Sequence, residues 1–329
     1  MANFRTPAAP VTVQDAASAS GGAFLVSELE KRDPKIREPL TSLTYARDIP
    51  ITVGGGWVEN VSALNITYAV SGSSVSGPAM AAGANGVPLV QANLGKDMFK
   101  THMFGVGLRV SFVDMARSNF IGRSLDQMLT KGVRMAYDKH MDVNVYKGLS
   151  EFGTTGLLND GGAVVSNVAA TGTGSSTNWS KKTPQQILDD VNKALTDAWG
   201  AAEYDTTAVP NHILLPYEQY NYILTTKVTD LATETILDFL LKNNVASKNG
   251  GNLTIAPTRW CKSAGVGSVD RMAVYINDER FLKAEELVSL TRAMTQPNAT
   301  NLCYDTGYVA NLSEVEVFYP QTLRYYDGI

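Results

Sequence analysis

Apolar residues recur along this chain with two periods, and the longest helical run lies between Asn119 and Gly148. There Ile121, Leu125, Met128, Leu129, Val133, Ala136, His140 and Val143 keep the three-and-four spacing of one helix face. Ser118 or Asn119 can cap its start. About thirty residues at about 1.5 Å each predict a rod of roughly 45 Å, long for a globular helix and suited to a structural spine. Leu125, Met128, Leu129 and Val133 are expected to face a sheet, with Gly122 and Gly132 as weak points of the helix.

Before this helix the pattern is strand-like. A short helix through Leu25, Val26 and Leu29 is limited by Pro34. Tyr45 to Val53 (YARDIPITV) reads as a strand, which Gly54-Gly55-Gly56 breaks. Residues 61–70 (VSALNITYAV) and 87–94 (VPLVQANL) flank Gly/Ser/Ala-rich material. Together they predict a two-stranded excursion, which needs a partner because an isolated hairpin is marginal in water. Residues 102–112 (HMFGVGLRVSF) bring the chain back as a strand.

After a turn-rich boundary at 153–174, the second half mixes helices and strands. Thr183-Pro184-Gln185-Gln186 is a capping box with proline at the first helical position. Ile187, Leu188, Val191, Leu195, Ala198 and Trp199 form the stripe behind it. Residues 212–215 (HILL), 253–257 and 271–277 read as strands, and 217–226 and 234–243 as helices. Residues 311–326 alternate apolar and polar positions and predict one long strand returning to the first half, interrupted by Pro320.

Charge changes this picture at one place. From Asn60 to Gly95 there are 36 residues without an Asp, Glu, Lys or Arg, in a chain that is 18% charged. A free loop of that length normally carries charge, so another copy of the chain is expected to cover this one. The net charge of −4 argues against a dedicated nucleic-acid binder. No apolar run approaches the roughly 18 residues of a membrane span. Two cysteines, Cys261 and Cys303, make no disulfide framework. Residues 1–20, rich in Ala, Pro, Thr and Ser, read as an extended arm.

Catalytic chemistry finds no constellation. Asp138, His140 and Asp142 resemble a metal cluster on paper, but residues two apart on a helix point to nearly opposite sides. His140 is expected partly buried and both carboxylates solvated. His102 and His212 lie in strands without partners at ligand spacing. Cys261 beside Lys262 lacks a positioned base. Gly105-Val106-Gly107 lacks the rest of a dinucleotide fingerprint and reads as a strand irregularity. Tyr217, Tyr220 and Tyr222 are better read as packing residues than as a base-stacking platform. No catalytic, cofactor-binding or metal residue is therefore assigned, and the chain is expected not to be an enzyme.

The order of pieces resembles the major capsid proteins of tailed bacteriophages, whose fold is named after phage HK97. The resemblance covers nearly the whole chain. It is carried by the short helix and the Tyr45-Ala46-Arg47-Asp48-Ile49-Pro50 segment, by the long helix closed by Gly156-Leu157-Leu158-Asn159, by residues 207–228, and by the final SEVEVFYPQTLRYYDGI. It implies an α+β HK97-like fold with an N-terminal arm (1–22), a peripheral domain (23–50, 105–151 and 309–329), an extended β-hairpin loop (51–104) and an axial domain (152–308).

It also implies a homo-oligomeric icosahedral shell of pentamers and hexamers. That shell would assemble in the host bacterial cytoplasm around double-stranded DNA, bound without sequence specificity, with a portal and a separate scaffolding protein, a decoration protein as an optional partner, and no membrane. Some relatives crosslink subunits through a lysine near the loop tip. Here no lysine lies between Lys35 and Lys96, so a non-covalent shell is expected. An encapsulin-like compartment subunit or a phage surface-binding module are the alternative readings.

Overall fold

Two five-stranded sheets and one long helix organise residues 42–329. The computed structural model describes residues 41–70, 89–121, 125–229 and 233–329. The short helix expected at Leu25–Leu29 and the hairpin tip lie outside the described residues.

The chain begins with α1 (Tyr45–Asp48), β1 (Ile51–Val53), β2 (Asn60–Val70), β3 (Val90–Ser111), α2 (Phe112–Ile121) and α3 (Leu125–Lys147). Then come β4 (Val164–Asn167), α4 (Pro184–Gly200), β5 (His212–Leu215), α5 (Tyr217–Thr225), α6 (Ile236–Asn243), α7 (Val245–Lys248), β6 (Thr254–Pro257) and β7 (Arg271–Tyr275). The last elements are β8 (Leu282–Asn298), β9 (Cys303–Val317) and β10 (Arg324–Asp327). The first sheet has the order β1-β8-β9-β3-β2 and the second β4-β10-β7-β5-β6.

The second sheet follows from its sequence. Thr183 and Gln186 form the reciprocal capping box that starts α4. Behind it Ile187, Leu188, Val191, Leu195 and Ala198 are buried against β5, β7 and α6. Residues 212–215 are buried throughout, as a central strand requires.

Several expectations change. Tyr45–Val53 is not one strand: residues 45–48 form α1, and Pro50 forces Ile49 into extended backbone that ends the helix. The strand expected at 102–112 is the end of β3, a continuous strand of 22 residues. Helix begins earlier than expected: α2 starts at Phe112, so Ser118 and Asn119 lie inside it rather than at a helix start, while residues 122–124, with Gly122, lie outside the described residues.

The C-terminal strand is also divided. β9 pairs with β3 in the first sheet. After a 3-10 turn at Pro320–Thr322, β10 pairs with β7 and β4 in the second. Strand β8 has no counterpart in the sequence reading, because LKAEELVSLTRAM lacks a clean two-residue alternation.

Helix α3 crosses the first sheet along Val133, Tyr137, Met141 and Val145, spaced by four. Val133 meets Leu108 and Val110 of β3, and Tyr137 and Met141 meet Ala310 and Leu312 of β9. The expected face is therefore rotated. Leu129 is half-buried beside Val133, whereas Met128 and Ala136 are exposed. Asp142 is not solvated: it is buried, with Arg259 (2.9 Å) and the Trp260 indole (2.7 Å) on its carboxylate.

The returning chain closes the end of α3. Leu157 and Leu158 donate to the carbonyls of Val145 and Tyr146, and the Asn159 side chain donates to that of Lys147. Gly148 has φ +66, and a Cβ there would lie 2.4 Å from the Thr154 carbonyl, so only glycine fits.

Asp48 ties α1 and α3 to the second sheet. Its carboxylate accepts from Arg47 (2.6 and 2.9 Å), from His212 Nε2 (3.1 Å) and from the Tyr146 hydroxyl, and its carbonyl accepts from Tyr275 (2.6 Å). Burial alone pushes this carboxyl up, but the bonds from His212, Arg47 and Tyr146 outweigh it and hold it below the usual carboxylate range. A group with a lowered folded-state pKa stabilises above its ordinary titration range, and that stability is lost as pH falls.

Asp48→Asn is expected to cost about 3–5 kcal/mol in chemical denaturation at neutral pH, with the loss shrinking in acid. Gly132→Ala acts oppositely. A Cβ at the exposed, helical Gly132 meets nothing within 4 Å. The substitution is expected to stabilise by about 1 kcal/mol in the same assay.

Candidate assembly surfaces

The two described ends of the uncharged segment pair as the strands that the pattern predicts, and their register sorts their side chains. Strands β2 and β3 pair antiparallel from Asn60↔Lys100 to Val70↔Val90 without a shift. Since alternate residues point to opposite faces, Leu64, Ile66, Tyr68, Val90, Leu94 and Met98 share one face. The other carries Asn65, Thr67, Asn93 and Asp97, with Asn65 donating to Asp97.

The apolar face is bare. Leu64 and Leu94 are 73% exposed and Tyr68 72%. Beyond Lys100, β3 leaves β9 and only β2 remains beside it. Lys96 lies opposite Leu64 within the hairpin, and Lys100 at its root donates to the Gly153 carbonyl (2.9 Å).

The root is fastened firmly. Thr101 donates to the Val58 carbonyl (2.8 Å), Asn311 donates to those of Gly56 (3.2 Å) and Val58 (3.0 Å), and Glu314 accepts from the Lys100 amide (2.7 Å). A rigid root thus presents an uncovered apolar ribbon. An exposed apolar patch of this kind marks a protein–protein contact.

A second bare region lies on the sheet face opposite α3. Gly107 pairs directly with Gly307, and Gly105 precedes them on the same face. The missing side chains leave a trough of about 480 Å³ walled by Met294, Gln296 and the Arg109–Asp305 ion pair (2.6 Å). Gly105 to Gly107 is regular strand, not the expected irregularity, and no sequence signal showed that two strands place glycines opposite each other.

The groups screened for chemistry do not converge on a site. His212 is consumed by Asp48, at 3.1 Å. Cys261 is fully buried and burial drives its thiol pKa up, the reverse of an activated nucleophile. Tyr220 and Tyr222 pack on the core between α4 and the second sheet. Asp138 accepts from Tyr45 while Asp142 points to Arg259, so the two carboxylates flank His140 without meeting. His102 and His140 do meet, with Nε2 atoms 2.9 Å apart. Sequence reading treated them separately, because 38 residues divide strand from helix. Among the described residues no group of three or more His, Cys, Asp or Glu could hold a metal ion.

The model of the family described as "Major capsid protein" matches residues 78–329. The chain belongs to the major capsid protein family. It is a structural subunit of a capsid shell, and the family is not enzymatic. No curated protein matches it in sequence.

The solved capsid of Myoviridae phage XM1 is similar to this capsid subunit at 16% identity and a TM-score of 0.75, over 94% of this chain and 100% of that one. The native GTA particle capsid gives 12% and 0.61, over 96% and 99%. The virus-like particle of Pyrococcus furiosus gives 14% and 0.51, over 86% and 91%. These likenesses show the fold, an HK97-like α+β architecture, and the relatives form assembled shells.

The apolar ribbon of a capsid subunit is expected to be covered in the shell. Leu64→Asp with Ile66→Asp is expected to abolish assembly, read by light scattering and electron microscopy, while circular dichroism of the subunit is unchanged. Normal shells from this variant would remove the ribbon from the interface.

Proposed function

We propose that this subunit builds an icosahedral shell of hexamers and pentamers that encloses packaged double-stranded DNA. The observation that carries the reading is the ribbon on its fastened root, an element with no core of its own that a neighbouring subunit can complete. In this reading residues 51–104 are the extended loop and α3 is the spine helix. The peripheral domain comprises 23–50, 105–151 and 309–329, and the axial domain 152–308. A net charge of −4 suits enclosure of DNA without tight, sequence-specific binding.

A second reading, a compartment for cargo proteins, is favoured only by the likeness to the Pyrococcus particle, which is weaker than that to the phage XM1 capsid.

Cohesion in the proposed shell is non-covalent. Lys96 is the first lysine after Lys35, and it stands within the hairpin rather than beyond Val70 toward the tip. Purified particles are expected to protect long double-stranded DNA from nuclease and to run in a denaturing gel as one band near 35.4 kDa. Protein cargo without DNA would support the compartment reading. A ladder of higher covalent species would overturn non-covalent cohesion.

A further inference from the structure

The hairpin root and α3 meet through two histidines. His102, on β3 just inside the root, is 4% exposed, and its Nε2 lies 2.9 Å from Nε2 of His140 on α3. Phe152 stacks on His102 with ring centroids 5.5 Å apart, and Phe104 lies against His140 at 4.9 Å. His102 Nδ1 is buried without a hydrogen-bond partner among the described residues.

Two imidazole nitrogens at that distance can share one proton but cannot each carry one. The pair is therefore compatible with two neutral rings or one imidazolium. A second added proton places N–H against N–H and two cations in contact, and the rings must separate.

Among the described residues no carboxylate is bonded to either ring, and the one that shares a cavity with His102 is the exposed Glu59 just before β2. On α3, Asp138 is engaged by Tyr45 and Arg134, Asp142 by Arg259 and Trp260, and Lys139 is exposed. On β3, Lys100 donates to Gly153, and in the turn after α3 Glu151 is exposed. On β9, Glu314 accepts from the amides of Lys100 and Thr155. Burial and His140 together lower the His102 pKa to about 4, and burial lowers that of His140. Folded-state values below the ordinary 6.5 mean that the contact is intact above about pH 6.5 and lost as pH falls toward 4. Phe152 is itself 51% exposed, so water lies one ring away.

We propose that His102 and His140 form a proton-operated latch that fastens the hairpin root to α3 at neutral pH and releases that one fastening, loosening the root, when both rings are protonated. The latch works within one subunit and does not require the shell. Acid thus loosens the hairpin while the second sheet keeps its structure.

The test is hydrogen exchange of the full-length unassembled subunit from pH 7.5 to 4.5, corrected for intrinsic rates, with histidine-labelled NMR in parallel. Opening at residues 96–104 is expected to rise by up to about 100-fold per pH unit at its steepest, the signature of two protons. Amides of β5 and β7 should not follow. His140→Gln keeps a hydrogen-bonding group and loses one proton site, so its steepest rise is expected to fall to about 10-fold per pH unit.

In NMR the signals of His102 and His140 are expected to titrate as a coupled pair below the ordinary range. This readout decides the question even if the variant does not fold. Independent titration of each ring near pH 6.5, flat exchange at the root, or an unchanged slope in His140→Gln would each overturn the latch.

Discussion

Removing the Asp48 carboxylate from water costs several kcal/mol unless partners replace the lost hydration. Here the replacements come from four places in the chain: Arg47 beside it, Tyr146 on α3, His212 on β5 and, through its carbonyl, Tyr275 on β7. His212 and Tyr275 are cross-strand partners in the second sheet, whereas Arg47 and Tyr146 come to Asp48 from α1 and α3. The frame of the capsid subunit depends on their simultaneous satisfaction. Around them Ile49, Val145, Leu214, Tyr275, Leu282 and Val315 form the core shared by both sheets and the end of α3.

That frame determines what the hairpin can do. β3 is one strand with two environments. From Thr101 to Ser111 it lies between β9 and α3, and from Val90 to Lys100 it has only β2. Rigidity is inherited through the backbone, while apolar burial is absent. The subunit therefore holds an interaction element in place before its partner arrives, which lowers the ordering cost of association. The trough floored by Gly107 and Gly307 on the same sheet gives the frame a second uncovered surface.

Much of this was legible from residue order. The capping box at Thr183, the buried 212–215 strand and the two hairpin strands follow from local pattern, because each depends on neighbours a few residues away. The 36-residue gap in charge identified the ribbon before any register was known. What was not legible depends on distant partners. Residues 45–48 carry strand-like Tyr and Ile neighbours, yet Asp48 is drawn into a buried network whose members lie 98 to 227 residues away. Asp142 looked like a solvated helix carboxylate until Arg259 and Trp260 arrived from across the fold. β8 was hidden because its register with β9 shifts repeatedly and its second half is exposed on both faces, which erases alternation.

The central claim is that the ribbon is bare in the subunit and covered in the shell. Hydroxyl-radical footprinting of free subunits and assembled particles reads this directly, since Tyr68 and Met98 are reactive and 72% and 60% exposed. The account predicts strong labelling of both in free subunits and at least about tenfold protection in particles, as expected of residues in a desolvated interface core. Equal labelling in the two states would contradict it.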